Sequence, residues 1–323
     1  MLLPHSLVGT LSVGLMVLAA GVVFGQSYPN KTIRMVTVEV GGGSDFDARL
    51  IAQGISGTLG QPVIVDNLPN LTVGKVVSQA SPDGYTLLLV GSNFYITPLL
   101  QQLPYDPIKD FSPVVMVSSN FLILVVHPGL GVNSVKELIA LAKAKPGQLN
   151  YASVSVGGPP SLSAELFKSM AGVNLVNVPY KSTASSLNGV LGGEVQLVFV
   201  TASAGMPHIK SGKLRALGVT SVQSSALVPG VPPIAASLPG YESVSMTAIF
   251  APANTPAAII NRLNEVVVRL LKTTEAKDRF FNSGEEVVGS SPEELEAIMK
   301  SEIAKWSRVI KGANIKADQS WNQ

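Results

Sequence analysis

The residues best suited to chemistry lie in a strand–turn–helix stretch at 33–59. An apolar, β-branched run, Ile33-Arg34-Met35-Val36-Thr37-Val38-Glu39-Val40, meets Gly41-Gly42-Gly43-Ser44, and Asp45-Phe46-Asp47-Ala48-Arg49-Leu50-Ile51 then opens a helix. Glycine reaches positive φ and lets a ligand approach the main chain, while the first N–H groups of a helix have no intrahelical acceptor and point at whatever fills the turn. The guest such a turn suits is an anion. Ser44 with Asp47 three residues on reads as a loose capping box, and Phe46, Leu50, Ile55 and Leu59 as one buried face. A second turn, Ser155-Val156-Gly157-Gly158-Pro159-Pro160-Ser161, falls between a strand at 150–154 and a helix at 161–171. Two anion-friendly loops at the carboxyl ends of strands is the arrangement in which α/β proteins hold ligands. Glycine-rich strand-to-helix turns also serve backbone needs alone, and the local pattern leaves both readings open.

Catalytic groupings are thin. The histidines are His5, His127 and His208, none at a metal-ligand spacing, and there is no G-x-S-x-G elbow and no G-x-x-x-x-G-K-[ST] loop. The first turn lacks the G-x-G-x-x-G order of a dinucleotide site. Asp45 and Asp47, two apart at a helix start, suit capping and dipole complementarity better than acid–base work. With Cys 0 there is no disulfide and no thiol chemistry. The reading is a binding protein with no cofactor and no metal. A hydrolase or dehydrogenase on an α/β scaffold is the alternative, disfavoured by the missing triad and fingerprint.

The chain has 323 residues, 46% hydrophobic and 14% charged, enough for one or two domains with real cores. Its net charge of +2 comes without a basic run, which argues against nucleic acid as a partner. Residues 1–30 contain no Asp, Glu, Lys or Arg, and 11–24 form an apolar stretch of signal-peptide length. Val23 and Gly25 suit the −3 and −1 positions, predicting a cleaved signal peptide over 1–25 and an exported protein. The start lacks the expected Lys or Arg, so a retained anchor or a misassigned start codon is the alternative.

Beyond the first helix, strands are predicted at 62–65, 85–90, 114–117, 121–126, 150–154, 176–178, 195–200, 214–219 and 244–250. Helices are predicted at 75–80, 134–144, 161–171, 185–191 and 255–271. The final helix is the best drawn: Ser291 caps it, Pro292 begins it, Glu294 completes the box, and Leu295, Ile298, Met299, Ile303, Trp306 and Ile310 form an apolar stripe. The alternation predicts a doubly wound α/β architecture in two rounds.

Ordered motifs along the chain resemble a known family. They include Tyr28-Pro29-x-Lys31-x-Ile33-Arg34, Gly41-Gly42-x-x-Asp45-x-x-Ala48-Arg49, Leu59-Gly60-Gln61-Pro62-Val63, Pro82-Asp83-Gly84-Tyr85-Thr86, Leu103-Pro104-Tyr105-Asp106-Pro107, Val178-Pro179-Tyr180-Lys181 and Glu302-Ile303-Ala304-Lys305-Trp306. The sequence is similar to the tripartite tricarboxylate transporter receptors, the Bug family of periplasmic solute-binding proteins. The resemblance implies a type II periplasmic binding fold: two doubly wound lobes, 26–124 with 246–323 and 125–245, joined by crossing strands near 122–126 and 246–250. It implies a small organic acid held at a carboxylate clamp between lobes that close about a hinge, and delivery to membrane subunits of a transporter. A sensor kinase is an alternative partner, and a monomer is expected. The ligand-binding candidates are Gly41, Gly42, Gly43, Ser44, Asp45, Ser92, Asn93, Ser155, Gly157, Gly158, Ser161 and Thr201. The chain departs from the family pattern at Val38-Glu39-Val40 and at residues 68–74. Ser161 replaces a common histidine and Val200 a common acid. A rim of neutral hydroxyls predicts discrimination against ligands bearing an ammonium group, unless Val200 only fills core space and never meets the pocket or Glu39 supplies a negative charge at the mouth.

Overall fold

The computed structural model describes residues 28–154 and 157–315. The predicted signal peptide and Ser155 lie outside them. In chain order the elements are β1 (Ile33–Thr37), α1 (Gly43–Leu59), β2 (Val63–Asn67), α2 (Asn70–Ser78), β3 (Thr86–Gly91), α3 (Asn93–Leu100), β4 (Phe111–Val126), α4 (Val135–Ala144), β5 (Leu149–Ser153) and α5 (Pro159–Ala171). There follow β6 (Leu175–Pro179), α6 (Thr183–Leu191), β7 (Leu197–Thr201), α7 (Ala202–Lys210), β8 (Arg215–Val219), β9 (Val244–Pro252), α8 (Ala257–Leu271), α9 (Thr274–Ser283), β10 (Glu286–Val287) and α10 (Pro292–Gly312). Among the described residues no helix is long and apolar enough to cross a membrane.

The architecture is the expected α/β one. β2, β1 and β3 run parallel, β3 pairs antiparallel with β9, and β9 pairs with the first part of β4. On the far side β6, β5 and β7 run parallel, and the last part of β4 lies antiparallel to both β7 and β8. The crossing between these sheets is made by β4 itself. Its register with β9 ends at Phe121↔Val244, and its register with β7 begins at Leu122↔Thr201. The two strands expected at 114–117 and 121–126 are therefore one strand. Ser118-Ser119-Asn120 breaks the apolar run without breaking the strand: Ser118 and Ser119 pair with Val287 and Glu286 of β10, and Asn120 with Ser245 of β9. The return crossing is fixed where Ser243 N–H donates to Thr220 O (2.9 Å) and Thr220 N–H to Leu122 O (2.9 Å).

Four helices depart from the sequence expectation: α9, capped by Thr273, has no predicted counterpart, and three others also differ. α3 and α7 have interior prolines, Pro98 and Pro207, which normally argue against a helix. α2 begins at Asn70, five residues before the predicted 75, because the Glu39 carboxylate accepts from Asn70 N–H at 2.9 Å and caps it. α10 is as drawn, with the full Ser291–Glu294 capping box. It packs against α3 of one lobe and α5 of the other, and Leu295, Met299 and Trp306 join a core that contains both Leu88 and Leu162.

Candidate functional site

Leu50, Ile55 and Leu59 are buried as expected, and α1 departs from the expected face at Phe46. Phe46 is 43% exposed, whereas Asp47, Ala48, Ile51 and Ile55 are fully buried. Asp47 stands one and two helical steps before Ile51 and Ile55, so it sits on the core-facing stripe. The capping box does not form: the N-cap is Gly42 with no side-chain cap. Asp45 holds the turn instead, its carboxylate accepting from Gly41 N–H (3.0 Å) and Asn67 Nδ2 (2.8 Å) and pairing with Arg49 (3.0 Å). Those donors outweigh its burial and hold Asp45 below the usual carboxylate range. Its charge is consumed in the turn, which separates it from the other candidates. The first helical backbone bond, Phe46 N–H to Gly42 O (3.1 Å), leaves the N–H groups of Gly43, Ser44 and Asp45 without intrahelical acceptors.

A cleft of about 400 Å³ opens before these groups, between the two sheets. Five helix N-termini reach it: Gly43 and Ser44 of α1, Asn70 of α2, Asn93 of α3, Pro159 and Pro160 of α5, and Thr201 at the start of α7. Each such end carries roughly half a positive charge. Among the described residues the lining contains no Lys, Arg or His. The positive field is therefore made of backbone.

Of the candidates, Gly43, Ser44, Ser92, Asn93 and Thr201 line the cleft. Ser92 is 5% exposed and its oxygen accepts from Met246 N–H and from the Tyr95 hydroxyl, both at 2.9 Å, tying the end of β3 to β9. With both lone pairs engaged, its own proton remains to donate. Behind it Phe94 stacks on Tyr105 at 5.2 Å and meets Phe111 edge-on at 4.9 Å, which fixes the start of α3. The Thr201 hydroxyl shares a hydrogen bond with Ser203 at 3.1 Å.

Gly41, Gly42, Gly157, Gly158 and Ser161 frame the turns rather than the wall. Gly41 (φ +88°) and Gly157 (φ +82°) use left-handed backbone, and a Cβ on Gly157 would come 2.7 Å from Leu100 Cδ1 of the opposite lobe. Ser161 is buried and engages the Tyr151 phenol, which donates to Glu165 at 2.7 Å. Its hydroxyl serves the lobe interior. Val200, read from the sequence as a rim position, is 2% exposed and outside the main cleft. Glu39 does line the cleft, as the cap of α2.

Sequence reasoning missed Asn120, Thr247 and, above all, Glu285, which lines the cleft behind Gly43. The Ser118 hydroxyl donates to Glu285 Oε2, and Asp47 hydrogen-bonds to both Thr247 and Glu285. Burial and the neighbouring carboxyl push Asp47 up to about 8, and burial raises Glu285 as well. Among the described residues no group of acids and histidines could hold a metal ion. The available signal for Asp47 was its spacing from Ile51 and Ile55; Glu285, in a loop, offered none.

A cleft between two α/β lobes, walled by helix N-termini and bridged by crossing strands, defines a solute-binding protein of the type II periplasmic class. The chain belongs to the tripartite tricarboxylate transporter family of receptors, whose family pattern matches residues 47–315. It is 34% identical to a UPF0065 protein of Bordetella bronchiseptica over 90% of this chain and 88% of that one. It is 32% identical to protein BugT of Bordetella pertussis over 94% and 97%. Among solved structures, R. palustris Rpa4515 with adipate superimposes with a TM-score of 0.71 at 33% identity, covering 90% of this chain and all of that one. MatC from Rhodopseudomonas palustris with bound malate gives 0.67 at 27%, covering 88% and 100%.

Proposed function

We propose that the cleft captures a small organic acid outside the cytoplasm and that the closed protein hands it to the membrane subunits of a tripartite tricarboxylate-type transporter. The observation that carries this is the convergence of five helix N-termini on a cleft that has no basic side chain among the described residues. A carboxylate there is held by N–H groups and dipoles rather than by a counter-ion. Adipate and malate, the ligands of Rpa4515 and MatC, support the ligand class.

The lobes, taken as 26–124 with 246–323 and 125–245, move about the β4 and β9 crossings. Closure brings Leu100 against Gly157 and lets the Ser225 hydroxyl donate to Glu286. The protein acts as a monomer after removal of residues 1–25, and it releases its ligand chemically unchanged.

A thermal-shift screen against mono-, di- and tricarboxylates tests the reading. Ligand bound only to the native state stabilises it by about 2.7 kcal/mol at 100 times Kd. At least one acid should raise Tm in a concentration-dependent way and be recovered intact. A flat response across the panel, or consumption of the acid, refutes it.

A further inference from the structure

The proposed acid clamp accounts for the positive end of the cleft and leaves its negative end unused. Glu285 is 8% exposed, yet it lines the cleft, and its Oε1 lies 3.6 Å from where a Cβ would stand on Gly43, at the start of α1. Behind it Asp47 is fully buried, with Oδ1 lacking any hydrogen-bond partner. Two carboxyls in contact cannot both ionise cheaply, so the pair keeps one proton and one negative charge near neutrality. Ser118, donating to Glu285 Oε2, and Asp47, sharing a hydrogen bond with Glu285, gather that charge on Glu285. Among the described residues no ion pair involves either acid, and no Lys, Arg or His lines the cleft. A mostly buried carboxylate without a cation costs several kcal/mol unless something pairs with it.

We infer that Glu285, backed by Asp47 and Ser118, is a specificity-determining residue that receives a protonated amine on the ligand, so that the solute is an aminocarboxylate rather than a plain dicarboxylate. The placement suits an α-amino acid. Its carboxylate meets the open N–H groups of Gly43 and Ser44, and its ammonium, one carbon away, reaches Glu285 beside Gly43. This rests on the receptor reading above and reverses the selectivity expected from Val200 and Ser161, neither of which lines the cleft.

Calorimetry with matched pairs, glutamate against glutarate and aspartate against succinate, provides the test. The native protein should bind the amino partner at least tenfold more tightly in one of the pairs. Glu285→Gln should cost that partner at least tenfold more than it costs the desamino acid. The comparison on the native protein stands even if the variant does not fold. Equal or tighter binding of the desamino acids overturns the inference while leaving the receptor reading intact, as does a Glu285→Gln protein that keeps the preference. If no carboxylate of any kind binds, the receptor reading itself fails, and this inference with it.

Discussion

The turns before α1 and α5 share a backbone design. Each ends at an extended N-cap glycine, Gly42 at φ −83° and Gly158 at φ −75°, preceded by a glycine in left-handed conformation. Their contents differ. α1 starts Gly43-Ser44-Asp45 and offers three N–H groups, whereas α5 starts with Pro159 and Pro160, which have none. At the fifth helical position α1 carries Asp47 with an unpartnered oxygen. α5 there carries Ser163, whose hydroxyl is bonded to Pro159 O (2.8 Å) and Ser243 Oγ (2.7 Å). One turn is chemically live and the other is a finished wall. Similar glycine turns on the two lobes need not be equivalent: the first presents open N–H groups to the cleft, and the second packs its Gly157 beside Leu100 of the other lobe.

The largest effect should come from destroying the wall. Gly157→Val places a β-branched residue at φ +82° and drives it into Leu100, strain of about 1–3 kcal/mol before any clash is counted. Ligand affinity should fall at least 10-fold by calorimetry while far-UV dichroism stays native. Unchanged affinity would mean that the lobes do not close at this contact.

Next comes the pH response that sets Asp47 apart from Ser163. A carboxyl pushed up to about 8 favours the fold while protonated. Its contribution is fully present below the ordinary carboxylate range and is lost as pH rises through about 8. Thermal melts should show Tm falling between pH 5.5 and pH 9, and Asp47→Asn should flatten that slope. An equally steep slope in the variant would place the titration elsewhere.

A smaller change sharpens the contrast by making the second turn resemble the first. Pro160→Ala restores an N–H at the α5 start, and a hydrogen bond of about 1 kcal/mol predicts roughly fivefold tighter binding of a carboxylate. No gain would mean that the ligand never reaches this helix end.

Smallest of all is Gly42→Ala. The backbone is extended and the nearest atom to a Cβ is Glu39 O at 3.8 Å, so affinity should stay within about twofold. A large loss would show that the ligand itself occupies that space.

The strand–helix alternation was legible because apolar runs and turn residues carry it locally, and α10 was legible because its cap and stripe agree. The continuity of β4 was not. Ser118-Ser119-Asn120 looks like a break, and only pairing with partners distant in sequence, Thr247, Met246 and Ser245 of β9 and, for the two serines, β10, makes it a strand. The glycine turns announced anion binding through backbone chemistry, which is local. Glu285 could not announce itself, because its meaning depends on Asp47 more than two hundred positions away and on a first turn of α1 that buries Asp47 and exposes Phe46.

α10 runs 21 residues, about 30 Å, across the back of both lobes. Besides packing on α3 and α5, it sends Lys305 to Glu242 O (3.1 Å), on the segment that returns to β9. If the lobes part about the two crossing strands, as proposed above, one of them must slide or tilt along α10, which would then act as a backing spring. The fraction of molecules in the closed state multiplies the intrinsic affinity. Substitutions at Met299 or Trp306, buried in the shared core and absent from the cleft lining, should therefore change how tightly the solute is held without touching it.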